Sequence, residues 1–254
     1  MSKIVDRTLD FIELFATERR PLSLSDISRL LGIPVSSCHD VLKALQARGY
    51  IYEIGPRAGF YPTVRLLELA KTIAHHDPLL LRAEVALRDL RDTIGESVSL
   101  AKAGDETATY LLVLEPDHPL RFLVKAGHAV RSLHATSAGK AWLGSLTAEK
   151  FEAWLKSARL APLTARTIRT KAALRADIAA SARRGYFLNR EESVADATTM
   201  SALFRWNGAS YIVTIAGPTT RMAPKLDRAV KLLTAACAKL GAPPDSRTPR
   251  TGRI

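Results

Sequence analysis

Along residues 24 to 49, LSDISRLLGIPVSSCHDVLKALQARG, apolar positions recur at helical spacing in two short blocks separated by a glycine. Leu24, Ile27, Leu30 and Leu31 line the first block, with Ser23 or Ser25 available as N-cap and Asp26 in the positive first turn. Gly32 stops it. Pro34 suits the first turn of a second helix whose buried stripe is Cys38, Val41, Leu42 and Leu45, and Gly49 ends that helix. Its other face shows Ser36, Ser37, His39, Asp40 and Lys43. The pattern then changes to YIYEIGPRAGFYPT, where aromatic and β-branched residues flank a Gly-Pro-Arg-Ala-Gly turn, predicting a β-hairpin with Arg57 at its tip. An earlier helix carries Ile4, Val5, Leu9, Ile12 and Phe15. In this order the elements read as a winged helix-turn-helix, which sets a helix into a groove of duplex DNA and leaves Arg57 to meet phosphate or the minor groove. The alternative is a helical hairpin used only for packing.

From Val64, VRLLELAKTIAHHD predicts a linker helix with Leu66, Leu69, Ala70 and Ile73 on one side, broken at Asp77-Pro78. A second amphipathic helix runs from Leu79 to Gly95, with Leu79, Ala83, Leu87, Leu90 and Ile94 as its stripe. Strand-like runs follow: SVSLAKA, TATYLLVLE and LRFLVKA. Helices are expected over 138–146, 148–158 and 171–184, the last capped by Gly185. Strands return with YFLN, MSALFRW and SYIVTIAG, the last two separated by the hairpin signal Asn207-Gly208, and a final helix spans 223–240. Together these predict an α+β fold with a mostly antiparallel sheet.

Composition narrows the picture. A chain of 254 residues can bury one large core or two ordinary ones. No apolar run approaches the ~18 to 20 residues that span a bilayer, and MSKIVDRTLDFIE reads as an amphipathic helix rather than a signal peptide, so a cytoplasmic protein with no membrane partner is expected. Cys38 and Cys237 fall in different predicted helices with no metal-ligand spacing, so both read as small buried apolar residues, and neither metal nor cofactor is expected.

The net charge of +12 points to a polyanionic partner, but residues 1–77 hold 10 Lys+Arg against 9 Asp+Glu, so that part is only +1 and the remainder +11. Attraction of an anionic effector, nonspecific affinity for DNA and plain solubility each account for the excess. The densest basic stretch, 166–184, reads as a solvated helix face, and the tail PPDSRTPRTGRI as disordered.

Four segments carry a family likeness: LSDISRLLGIPVSSCHDVLKALQARGY, LHATSAGKAWL at 133–143, RGYFLNREE at 184–192, and IAGP closing a strand at 215–218. In this order and spacing the chain resembles the IclR-type bacterial transcription regulators over residues 3 to 241. The resemblance implies a winged helix-turn-helix over 1–63, a linker helix over 64–77 and a GAF-like effector-binding domain over 78–242, and it leaves out the basic tail over 243–254. It implies a homodimer or dimer of dimers on a palindromic double-stranded DNA operator. A small carboxylate or aromatic acid then changes the affinity for DNA or RNA polymerase.

Carried over by position, the recognition helix begins near Pro34, and Ser36, Ser37 and His39 match commonly polar positions. Positions often basic in the family are Val35 and Asp40 here, which leaves Lys43 and Arg57 to supply local positive charge. Asp40 could accept from a cytosine amino group or pair with a neighbouring Lys or Arg. The effector wall falls on Ser137, Ala138 and Gly139, where small residues at a helix start expose backbone N–H groups to an anion; an ordinary N-cap by Thr136 or Ser137 is the alternative. The facing wall falls on Asn189, Ala197, Thr199, Thr214 and Ala216, with Leu123 closing one end. Asn189 replaces a frequent acidic residue, Thr199 a frequent cysteine and Ala216 a common serine.

Two other functions compete. An enzyme acting on a small acid could use His134, Lys140, Asp196 or Glu191-Glu192, but adjacent carboxylates on a strand point to opposite faces, and His134 has no evident orienting partner. The near-neutral first 77 residues motivate the other, a sensor domain with non-functional DNA binding.

Overall fold

The computed structural model describes residues 3–55, 58–119, 121 and 124–243. The chain divides into two compact units, Met1–Asp77 and Pro78–Ile254.

In the first unit α1 (Lys3–Glu18), α2 (Leu24–Leu31) and α3 (Val35–Ala47) precede the antiparallel pair β1 (Ile51–Gly55) and β2 (Gly59–Pro62), and α4 (Arg65–His75) follows. Ser23, not Ser25, caps α2: its hydroxyl accepts from the Asp26 N–H at 3.1 Å while the Asp26 carboxylate accepts from the Ser23 N–H at 3.2 Å. The Ser23 hydroxyl also donates to the Asp26 carboxylate at 2.8 Å, and that bond, followed by those from Arg29 and the Ser23 N–H, lowers the Asp26 pKa to about 2. Gly32 ends α2 in the left-handed conformation, and Pro34 stands at the cap of α3 rather than within its first turn. The turn places Ile27 against Cys38, Leu42 and Leu45, and Phe11 and Phe15 of α1 complete this core with Leu22 and Ile51. Leu22 exchanges two backbone hydrogen bonds with Phe60, 3.1 and 2.8 Å, which ties the hairpin to the α1–α2 connection. Arg57, the expected hairpin tip, lies outside the described residues.

The helix expected from Val64 onward forms as α4, and its apolar side is largely exposed. No residue of α4 is buried; Leu66 is half-buried, while Leu69, Ala70 and Ile73 are exposed, Ile73 to 71%. On α1, Ile4, Val5 and Leu9 are exposed as well. Periodicity marked these as apolar faces, and a single chain leaves them uncovered.

The second unit contains α5 (Pro78–Ile94), β3 (Ser97–Ala103), β4 (Ala108–Leu114), α6 (Ser137–Ser145), α7 (Ala148–Ser157), α8 (Lys171–Arg184), β5 (Phe187–Arg190), β6 (Ala197–Trp206), β7 (Ala209–Pro218), α9 (Thr219–Met222) and α10 (Leu226–Gly241). The strands form one antiparallel sheet in the order β4-β3-β7-β6-β5. One core joins Leu87 and Leu90 of α5 and Leu233 of α10 to Met200, Val213 and Ile215; the other joins Trp142 and Leu143 of α6 and Leu174 of α8 to Phe187 and Ile212. Burial on both faces explains why β7 reads as a nearly unbroken apolar run. Asn207 and Gly208 both take positive φ, 46° and 79°, between the paired Trp206 and Ala209, so the β6–β7 turn is the hairpin expected of Asn-Gly.

Three boundaries differ from expectation. LRFLVKA forms no strand among its described residues; instead 127–130 meets the edge of β4 through Gly127 N–H to Tyr110 O at 2.7 Å and Val130 N–H to Ala108 O at 2.7 Å. The last helix starts at Leu226, after α9 and a 3-10 turn over Ala223–Lys225, because Pro224 has no N–H to continue a ladder. β6 also begins before MSALFRW, at Ala197. The basic stretch is partly paired: Arg175 meets Glu152 through two bonds of 2.8 and 2.7 Å, and Arg166 meets Glu191 at 3.1 Å. Both cysteines are buried, and burial pushes the Cys237 thiol up to about 12. The tail from 244 onward lies outside the described residues. No described helix is long and apolar enough to cross a membrane, and no described cluster of three or more His, Cys, Asp or Glu could hold a metal ion.

Candidate DNA-binding face and ligand cavity

On α3, Cys38, Leu42 and Leu45 turn inward, so helical geometry directs Ser36, His39, Asp40 and Lys43 outward, and all four are exposed. Ser37 is half-buried and borders a groove shared with α1 and α4. The near ionic partner of Asp40 is His39, 3.9 Å away, rather than a Lys or Arg, because its position on α3 brings no such residue within 4.0 Å among the described residues. Val35 stands half-exposed where α3 begins.

The second unit holds a cavity of about 430 Å³ between the start of α6 and the sheet. Its floor is built by register. Thr199 of β6 pairs with Ala216 of β7, and Ser201 pairs with Thr214; residues paired across, or two apart along, a strand share a face, so all four side chains point toward α6. There Ser137 donates to the Thr199 hydroxyl at 2.7 Å, Ser201 donates to Ser137 at 2.8 Å, and Ser201 and Thr214 are 2.7 Å apart. Ser137, Ala138, Thr199 and Thr214 all line the floor and are all buried. Tyr110, Val124 and Ala129 form an apolar side, and burial raises the Tyr110 phenol pKa. Lys125, His128 and Arg131 stand exposed at the mouth. No carboxylate is among the described residues that line the cavity.

Several residues expected here sit elsewhere. Thr136 caps α6 by accepting the Gly139 N–H at 3.1 Å, so that N–H is consumed, and Gly139 faces Leu133, whose backbone would lie 2.4 Å from any added Cβ. Asn189 is fully buried behind the wall: its amide donates to Ser193 at 2.8 Å and its carbonyl accepts the Glu192 N–H at 2.7 Å. It therefore acts through Ser193, which does line the cavity. Ala197 and Ala216 are buried in β6 and β7 and are not among the lining residues, having only methyl groups to extend. Leu123 lies outside the described residues. Spacing alone missed Tyr110, Ser193, Ser201 and the basic mouth; the one legible signal for the mouth was KAGHAVR at 125–131, with three basic side chains and no acidic one.

The groups that could have served acid–base chemistry have other occupations. His134 Nε2 lies 3.0 Å from the Ala161 carbonyl, and Lys140, 1% exposed, lies 2.6 Å from Glu192 and 2.9 Å from Asp177. Burial raises the Glu192 pKa despite the Lys140 charge. Glu191 pairs with Arg166, and none of these groups nor Asp196 lines the cavity. A second buried carboxylate, Glu96, is held by Arg221 at 2.8 and 2.7 Å and by Lys225 at 2.9 Å. Burial opposes its ionisation, but those two cations outweigh burial and lower its pKa.

A winged helix-turn-helix followed by an antiparallel α+β unit defines a helix-turn-helix transcription regulator. Similarity to known proteins agrees: residues 4–55 match the IclR helix-turn-helix domain, and residues 71–241 match the bacterial transcriptional regulator IclR C-terminal domain. The chain belongs to the IclR family of bacterial transcriptional regulators. It is 30% identical over 235 residues to the glycerol operon regulatory protein of Streptomyces griseus, covering 91% of each chain. It is 28% identical over 222 residues to the HTH-type transcriptional regulator BhcR of Paracoccus denitrificans, covering 87% of this chain and 79% of that one. The fold is shared with an IclR homolog from Microbacterium hydrocarbonoxydans complexed with 4-hydroxybenzoate, at TM-score 0.68 and 23% identity over 94% of this chain and 98% of that one. These curated relatives are named as regulators, not as enzymes.

Proposed function

We propose that this chain acts in the cytoplasm as a homodimer or dimer of dimers that binds a palindromic operator, and that a small organic acid in the 430 Å³ cavity changes its affinity for DNA or RNA polymerase. The observation that carries the sensing role is the cavity's chemistry: hydroxyl and N–H donors on the floor, basic side chains at the mouth, and no carboxylate among the described lining residues. The fold neighbour crystallised with 4-hydroxybenzoate supports an acid as the ligand class. Dimerisation is supported by Ile4, Val5 and Leu9 on α1 and Leu67 and Ile73 on α4, all more than half exposed in a single chain. Two symmetric α3 helices then read half-sites about one helical turn apart, or a multiple of that. Ser36, Ser37, His39, Asp40 and Lys43 form the reading face, with Arg57, outside the described residues, as a further proposed DNA contact.

The test couples two readouts on the full chain. A thermal-shift screen of mono- and dicarboxylates and aromatic acids identifies a ligand, since one at ~100 times its Kd stabilises by ~2.7 kcal/mol. The same acid must then change the Kd for a duplex selected from a random pool. Stabilisation without any change in DNA or polymerase binding contradicts the proposal.

A further inference from the structure

Burial divides the cavity into two ends, and counting protons shows what each end offers. At the floor, Ser201 gives its single hydroxyl proton to Ser137, so the proton in the Ser201–Thr214 contact comes from Thr214. Ser137 in turn gives its proton to Thr199. The four hydroxyls thus form a directed chain, Thr214 to Ser201 to Ser137 to Thr199, with three internal bonds for four protons. The proton left over belongs to Thr199, which is 4% exposed and lines the cavity. Bonds running in one direction polarise each other and strengthen that terminal donor. Beside it the first turn of α6 has spent the Gly139 N–H on Thr136 Oγ1 and the Lys140 N–H on the Thr136 carbonyl, leaving the Ser137 and Ala138 N–H groups without a helical acceptor. The floor therefore presents donors, suited to the two oxygens of one carboxylate.

The mouth is different in kind. Lys125 and Arg131, with His128 between them in one seven-residue segment, are exposed lining residues, and none of the three forms an ion pair among the described residues. Tyr110, Val124 and Ala129 supply apolar surface to the same cavity. A ligand with a single carboxylate satisfies one end only.

We propose that the effector is a short dianion, with one carboxylate on the Thr199, Ser137 and Ala138 donors and a second anionic group, carboxylate or phosphate, on Lys125, His128 and Arg131. This rests on the acid-sensing role proposed above and adds a second charge to it. It also gives part of the +11 carried beyond residue 77 a task.

The experiment is isothermal titration calorimetry of the full chain with matched pairs: butyrate against succinate, valerate against glutarate, and glycerate against 3-phosphoglycerate. The expected result is that in at least one pair the member with a second anionic group, a dicarboxylate or the more highly charged 3-phosphoglycerate, binds at least about tenfold tighter than its monoanionic partner, as charge-assisted contacts to that second group require. Preference within the dicarboxylate pairs identifies a carboxylate at the mouth, and preference only within the glycerate pair identifies a phosphate. Lys125→Gln/Arg131→Gln, changed together, is expected to weaken the dianion at least about tenfold more than its partner. Both residues are exposed, so this variant keeps the fold. Equal affinities within every pair, or equal weakening of both members, overturns the dianion while leaving acid sensing intact. Absence of binding by all six, together with a failed screen of aromatic acids, removes both.

Discussion

Ser137, in the first turn of α6, gives its hydroxyl proton to Thr199 in the middle of the sheet at 2.7 Å, across 62 residues of sequence. This bond makes the helix start and the sheet two sides of one donor surface. Thr199→Val removes the terminal donor and strands the Ser137 proton in a buried site. The expected cost is about 1 to 3 kcal/mol of stability, with loss of acid binding, and Thr199→Ser restores both. Urea unfolding and calorimetry on the two variants check this.

Lys140 is the only cation within 4.0 Å of both Glu192 and Asp177 among the described residues, and it is almost wholly enclosed. Lys140→Met leaves two carboxylates facing each other without it. A loss of about 3 to 5 kcal/mol is expected in chemical unfolding, and adding Glu192→Gln recovers part of it.

Glu96 and Glu192 respond to pH in opposite directions. The folded pKa of Glu96 lies below its unfolded value, so its stabilisation is present above the ordinary carboxylate range and is lost as pH falls through the depressed folded value. The folded pKa of Glu192 lies above its unfolded value, so stability declines as pH rises from that range through the raised folded value. Unfolding free energies between about pH 3 and pH 8 should therefore show a shallower acid limb in Glu96→Gln and a flatter rise-side limb in Glu192→Gln.

The apolar stripe of α1 and α4 tests the assembly. Ile73 is 71% exposed, so Ile73→Glu costs the single chain little on folding, but an apolar contact between two copies gains a buried charge. Sedimentation should show a shift toward monomer and DNA titration a weaker duplex complex; an unchanged dimer would place the interface elsewhere.

What the sequence disclosed was local. The α2–α3 turn, its glycine stop and the α5 stripe of Leu79, Ala83, Leu87, Leu90 and Ile94 follow from side-chain periodicity, and all five of those α5 residues are buried. The Asn207-Gly208 turn was legible because few residues tolerate two successive positive φ angles. The site was legible only in part. Thr199, Thr214, Ser137 and Ala138 reach the cavity, but Ser201 becomes a member of the hydroxyl chain only through its register with Thr214, which no local pattern encodes. Asn189 was expected in the wall and instead holds Ser193 there, because its amide and carbonyl are both engaged within its own turn. Periodicity likewise identified Ile73 as apolar without saying what would cover it.

Recognition of DNA by the exposed face of α3 is the central claim, and anisotropy titration of the full chain against a selected duplex and a shuffled one, at several salt concentrations, tests it most directly. The account predicts tighter binding to the selected palindrome, with log Kd rising linearly with log salt. In Lys43→Ala the slope should fall by about 1 for each phosphate that the lysine no longer neutralises. Equal affinity for both duplexes at every salt concentration would contradict it.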